Sequence, residues 1–156
     1  MGDYYDLGTY SRKVTTESPE AQMWFDRGLN WLYGYNHNEA VKCFRKAVEY
    51  DPTCVMAYWG IAYGVGCNYN KRWEVFSPEM VTDAIQEARN AIESGYQHLD
   101  NVTPLEADLL QALEKRFQVR GSHEEEVLES WNAEYADAMR HVYEVYPDDW
   151  DVMTLF

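Results

Sequence analysis

The chain has 156 residues, 46% hydrophobic and 15% aromatic, with 27 acidic against 13 basic side chains for a net charge of −14. That length makes one domain able to bury roughly 70% of its unfolded surface, and such a density of large side chains excludes a disordered segment. The charge repels nucleic acid and anionic membrane surfaces, and no apolar run approaches the ~18 residues needed to span a bilayer, so neither partner is expected.

Cys43, Cys54 and Cys67 are odd in number and lack CxxC spacing, which predicts reduced thiols and a cytoplasmic setting. The start of the chain has neither a charged leader nor an apolar core, so no targeting segment is read there.

Residues 1–17 are polar and aromatic without a helical period and are expected to form an extended arm, with Tyr4, Tyr5, Leu7 and Tyr10 packing on the first helices. Ser18-Pro19-Glu20 starts a first helix that runs to about Tyr35. Asn36, with Glu39 three residues later, reads as a capping-box variant for a second helix ending at Asp51-Pro52. A third helix spans about Cys54 to Gly66, followed by an inserted loop from Cys67 to Phe76.

Ser77-Pro78-Glu79 opens a fourth helix predicted to end at Gly95. Thr103-Pro104-Leu105-Glu106 is a capping box opening a fifth, whose apolar stripe is Leu105, Leu109, Ala112, Leu113 and Phe117. Ser122 with Glu125 starts a sixth, closed by Pro147. Asp148-Asp149 opens a seventh, and Phe156 is reached less than two turns into it. A pattern stopping there predicts a piece of a longer protein or an open edge covered by another subunit, with association, to a protein partner or a second copy, expected either way.

One spacing runs through these elements. Trp24, Gly28, Trp31, Ala40, Phe44, Ala47 and Pro52 form a pattern that restarts about 34 residues later at Tyr58, Ala62 and Val65. It resembles the tetratricopeptide repeat. The resemblance implies an all-α, right-handed superhelical array of antiparallel helix pairs with six to seven helices. Its repeat domain would cover 18–156, in units 18–53, 54–96 and 103–147 and a truncated fourth from 148. Phe25-Asp26-Arg27-Gly28-Leu29, Tyr33-Gly34-Tyr35-Asn36-His37-Asn38-Glu39-Ala40 and Gly66-Cys67-Asn68-Tyr69-Asn70 are similar to a group of longer, largely uncharacterised bacterial and fungal tetratricopeptide proteins.

In such an array Phe25, Leu29, Tyr33, Met56, Trp59 and Tyr63 would line the concave face, with Asn68, Asn70 and Trp73 at its mouth. The basic clamp by which chaperone-binding members hold terminal carboxylates is absent. An aromatic inner face suits a protein partner, a second copy of the chain, or a small apolar ligand; the alternative is that the arm and neighbouring helices fill it. The function expected first is therefore a binding scaffold. Its rival is a small-molecule-binding enzyme, or an accessory protein of a secondary metabolic pathway, with His37, Asp26 or Lys71 supplying acid–base chemistry.

His37, Cys54 and Cys67 are a residue set suited to a soft metal, yet equally a helix-start histidine and two buried thiols, and no metal or cofactor is expected. The loop from Cys67 to Phe76 either orients a polar ligand, with Lys71 or Arg72 reading an acidic group, or simply re-angles two helices. No nucleophile elbow, phosphate loop or HExxH is present.

Overall fold

The computed structural model describes residues 4–156. Met1, Gly2 and Asp3, where the predicted arm begins, lie outside the described residues. Those described fold into α1 (Pro19–Tyr33), α2 (His37–Tyr50), α3 (Val55–Val65), α4 (Pro78–Tyr96), α5 (Pro104–Glu114), α6 (Glu125–Val145) and α7 (Trp150–Leu155), with no strand among them. None of these helices is long and apolar enough to cross a membrane.

Local capping chemistry sets most of the starts. Ser18 Oγ accepts the Ala21 N–H at 3.1 Å, Ser77 Oγ accepts the Met80 N–H at 3.2 Å, and each is followed by a proline that needs no partner. Thr103 and Glu106 form the complete capping box. Asn36 and Glu39 form only half of one, because Glu39 turns to Lys42 instead. Several predicted boundaries move by one to three residues, among them the end of α1, at Tyr33, and the start of α7, at Trp150. α6 begins at Glu125 with no side-chain cap, so Ser122 is not its start. α4 runs through Gly95, which serves as a seat: a Cβ there would lie 2.8 Å from Leu110.

The helices pack in contacting pairs. α1 lies on α2, α2 on α3, α3 on both α4 and α5, α5 on α6, and α6 on α7. Phe44 of α2 is the plug of the first layers, fully buried between Gly28 of α1 and Gly60 of α3; a Cβ at either glycine would meet its ring at 2.6 Å. Large side chains on both flanking helices would hold them apart, so the two glycines allow the close approach.

After α3, an antiparallel bridge between Asn68 and Lys71 tightens the inserted loop, and a single 3-10 turn follows at Trp73–Val75. Trp73 is buried, 4.8 Å from the Phe76 ring and 6.4 Å from Phe117. The loop is thereby anchored where the ends of α3 and α5 meet.

Residues 4–17 run as an extended arm. Asn30, Asp26 and Gln22 recur at one-turn intervals on α1 and meet the arm in reverse order. Asn30 donates to the Tyr10 carbonyl at 3.0 Å, Asp26 accepts from Ser11 Oγ at 2.7 Å, and Gln22 accepts the Val14 N–H at 3.0 Å. The arm's other side reaches distant helices. Thr15 donates its N–H (2.7 Å) and hydroxyl (2.5 Å) to buried Glu106 at the start of α5, and Thr16 bonds Asp51. Arg12 pairs with Asp149 (2.8 Å) and Asp151 (2.6 Å) at the start of α7.

Candidate functional site

Where α1, the α1–α2 turn, the inserted loop, α6 and α7 converge, the helices leave a cleft of about 560 Å³. That volume lies within the roughly 300–1,000 Å³ usual for small-ligand pockets. Its deeper wall carries Tyr33, His37, Tyr63, Cys67, Arg116 and Asn132, all buried or half-buried. Its rim carries exposed Tyr35, Tyr69, Arg72, Glu74, Glu125 and Glu129.

Arg116 organises the deep wall. Nε donates to Asn132 Oδ1 at 3.0 Å, and Nη2 donates to the Cys67 carbonyl at 3.0 Å and to Cys67 Sγ at 2.8 Å. Its guanidinium also lies 5.8 Å from the Tyr63 ring centroid and 5.4 Å from that of Tyr135. All these partners are neutral. None of the ion pairs among the described residues includes Arg116, and Nη1 has no hydrogen-bond partner among them. A half-buried cation without a carboxylate is notable in a chain whose acids outnumber its bases by 27 to 13.

The neighbouring groups are tuned toward their uncharged forms. Burial pushes His37 below the usual histidine range and nearby Arg116 adds to this, against a hydrogen bond with the Tyr35 backbone. Burial likewise raises the Cys67 thiol, with Arg116 opposing it only in part. Cys67 is therefore a thiol at neutral pH, poorly suited to nucleophilic attack. Burial also raises the Tyr63 hydroxyl.

Tyr35 closes α1 in the left-handed conformation, at φ 59°, where the Asn36 N–H reaches back to the Trp31 carbonyl at 2.9 Å. A bulky side chain is uncommon there, and the strained turn holds the Tyr35 ring at the rim, 6.5 Å from Tyr69.

No family model, no curated protein and no solved structure matches the chain.

The residues singled out from sequence divide into two groups. Tyr33, His37, Tyr63, Cys67 and Asn68 do meet in the cleft. Phe25, Leu29, Met56 and Trp59 do not, being at most 1% exposed and part of the hydrophobic core. Side chains so enclosed offer no surface, so the aromatic face expected to receive a partner is interior packing. Trp73, expected at the mouth, is the loop's buried anchor. Asn70 is exposed and spends its N–H on Asn68 Oδ1 at 2.9 Å. Lys71 lies 4.3 Å over the Phe76 ring, outside the cleft.

Asp26 is likewise away from the cleft, accepting from Ser11 and the Arg12 N–H as an anchor for the arm. The set His37, Cys54 and Cys67 is broken by α3 itself. Cys54 precedes that helix and Cys67 follows it, a separation of about 20 Å at 1.5 Å per residue. No group of three metal-ligating side chains converges among the described residues.

Arg116, Asn132, Glu125 and Glu129 were missed as site residues. Arg116 follows the last turn of α5 and the other three lie on α6, far in sequence from the loop they face. No short-range pattern marks them.

Proposed function

We propose that this chain is a tetratricopeptide-type helical array that acts as a small-ligand-binding module through the Arg116 cleft. The packing order supports the repeat reading: α1 meets α2 and α3, α3 meets α4 and α5, and α5 meets α6, as the first helices of successive pairs do in such arrays. Phe44 between Gly28 and Gly60 gives the repeat's large–small spacing a physical cause. Three buried thiols and no disulfide suit a reducing compartment such as the cytoplasm.

The observation that carries the binding reading is the oriented Arg116 guanidinium, held by neutral acceptors with Nη1 unengaged beside an open cleft. Desolvating a charge without pairing it costs stability, and groups held that way beside a cleft are concentrated at functional sites. Binding is favoured over covalent catalysis because Cys67 is held as a thiol and is paired with Arg116, not with His37. The test is a thermal-shift and native mass-spectrometry screen of the purified chain against small polar metabolites. A ligand at a hundred times its Kd should stabilise the fold by about 2.7 kcal/mol, and Arg116→Gln should remove that gain. A screen in which no compound distinguishes the wild-type chain from Arg116→Gln would sink the reading.

A protein partner or second copy is the second reading, favoured by α7, which leaves Trp150 75% and Met153 46% exposed. Light scattering on the chain decides the second copy: a concentration-independent monomer that becomes no less soluble at high salt rules out self-association through α7.

A further inference from the structure

We infer that the guest of this cleft is amphoteric: a small molecule of amino-acid type, entering carboxylate first and leaving its ammonium at the rim. The inference rests on the ligand-binding reading above and names the class of ligand.

The cleft is electrically two-sided. Its deep wall holds Arg116, whose Nη1 hydrogens have no acceptor, and beside it His37, which burial keeps neutral. Its mouth is acidic, with Glu74, Glu125 and Glu129 exposed around a single arginine, Arg72. Asn132 keeps the two zones apart, for its Oδ1 accepts from Arg116 Nε at 3.0 Å while its Nδ2 donates to Glu129 Oε1 at 3.2 Å. The amide thus separates an arginine and a glutamate that would otherwise neutralise each other. Each keeps its charge for a third party.

A simple anion must pass three carboxylates, on a chain of net charge −14, to reach Arg116. A simple cation finds the rim but leaves Arg116 desolvated and unpaired. Only a molecule carrying both signs satisfies both zones, with a carboxylate accepting from the Nη1 hydrogens and an ammonium facing Glu125 and Glu129. The wall between them is aromatic. Tyr33 and Tyr63 flank the deep part, and exposed Tyr35 and Tyr69 stand at the mouth beside the acids, which suits a planar or apolar body and a cation against ring faces.

Calorimetric titration of the full chain with L-phenylalanine, L-tyrosine and L-tryptophan, their N-acetyl derivatives and their carboxamides tests this directly. At least one free amino acid should bind at least tenfold more tightly than both of its blocked forms. Arg116→Gln should bring the free form down to the affinity of its amide. Because Arg116 also ties the loop to α6, a second variant on the exposed rim, Glu125→Gln with Glu129→Gln, guards against misfolding; it should bring the free form down to its N-acetyl derivative while circular dichroism stays unchanged. Equal affinity for free and blocked forms, or no binding by any free form, overturns the amphoteric guest. If a non-amphoteric compound from the earlier screen still binds in an Arg116-dependent way, the cleft stands as a ligand site and only its assigned chemistry fails.

Discussion

Phe44 shows how one side chain can carry a spacing. Its ring fills the gap that Gly28 and Gly60 leave, so Phe44→Ala should open a cavity in the centre of three helices and lower unfolding free energy by about 3–5 kcal/mol in urea titration. Gly60→Ala attacks the same contact from the other side. A methyl 2.6 Å from a buried ring cannot be accommodated without displacing it, and a loss of about 1–3 kcal/mol is expected. Tyr135 behaves in the opposite sense. Its hydroxyl is buried with no hydrogen-bond partner among the described residues, so Tyr135→Phe removes an unsatisfied group and should leave stability unchanged or raise it by about 1 kcal/mol. A clear loss would show that the hydroxyl has a partner in solution.

At the scale of elements, the helices were legible because the signals that start them are local. Ser18, Ser77 and Thr103 each bond a backbone N–H three residues on, a distance sequence reading spans easily. The binding surface was not legible, since helical spacing says which residues face inward and not whether anything covers them. Phe25 and Trp59 face inward and are simply core. One signal was readable and went unread: Gln22, Asp26 and Asn30, polar at every fourth position along α1, mark the track on which the arm lies. The arm's grip on α7 is titratable. Burial pushes the Asp149 carboxyl up, but hydrogen bonds from Arg12 and the Val152 N–H outweigh it and hold its pKa below the ordinary value. Stability from this link is therefore complete above the unfolded pKa of about 3.9 and is lost as pH falls through the lower folded value. Asp149→Asn should flatten that acid limb in a pH series of denaturation midpoints. Arg12→Met, which leaves the carboxylate of buried Asp151 without its cation, should cost about 3 kcal/mol and abolish hydrogen-exchange protection in α7 first.

For the molecule as a whole, the long-range links decide what kind of object the helices make. Stacked repeats ordinarily touch only their neighbours, so each end can fray independently of the middle. Here Arg12 reaches Asp149 across 137 residues of sequence, and Thr15 reaches Glu106 across 91. Both closures involve one arm, which ties the first helix to α5 and α7. The expected outcome is a single cooperative unfolding transition, seen as superimposable fluorescence and far-ultraviolet dichroism curves, which splits into separate transitions once the arm's partners on α5 and α7 are mutated. There is also a consequence in time. Residues 10–16 are synthesised before any helix they join, and their carboxylate acceptors on α5 and α7 emerge from the ribosome long afterwards. Until then the arm has only α1 and the Asp51 end of α2 to lie on. Its closure onto α5 and α7 waits for them, and a nascent chain stalled before α7 should present Arg12 and Tyr10 to solvent and to proteases.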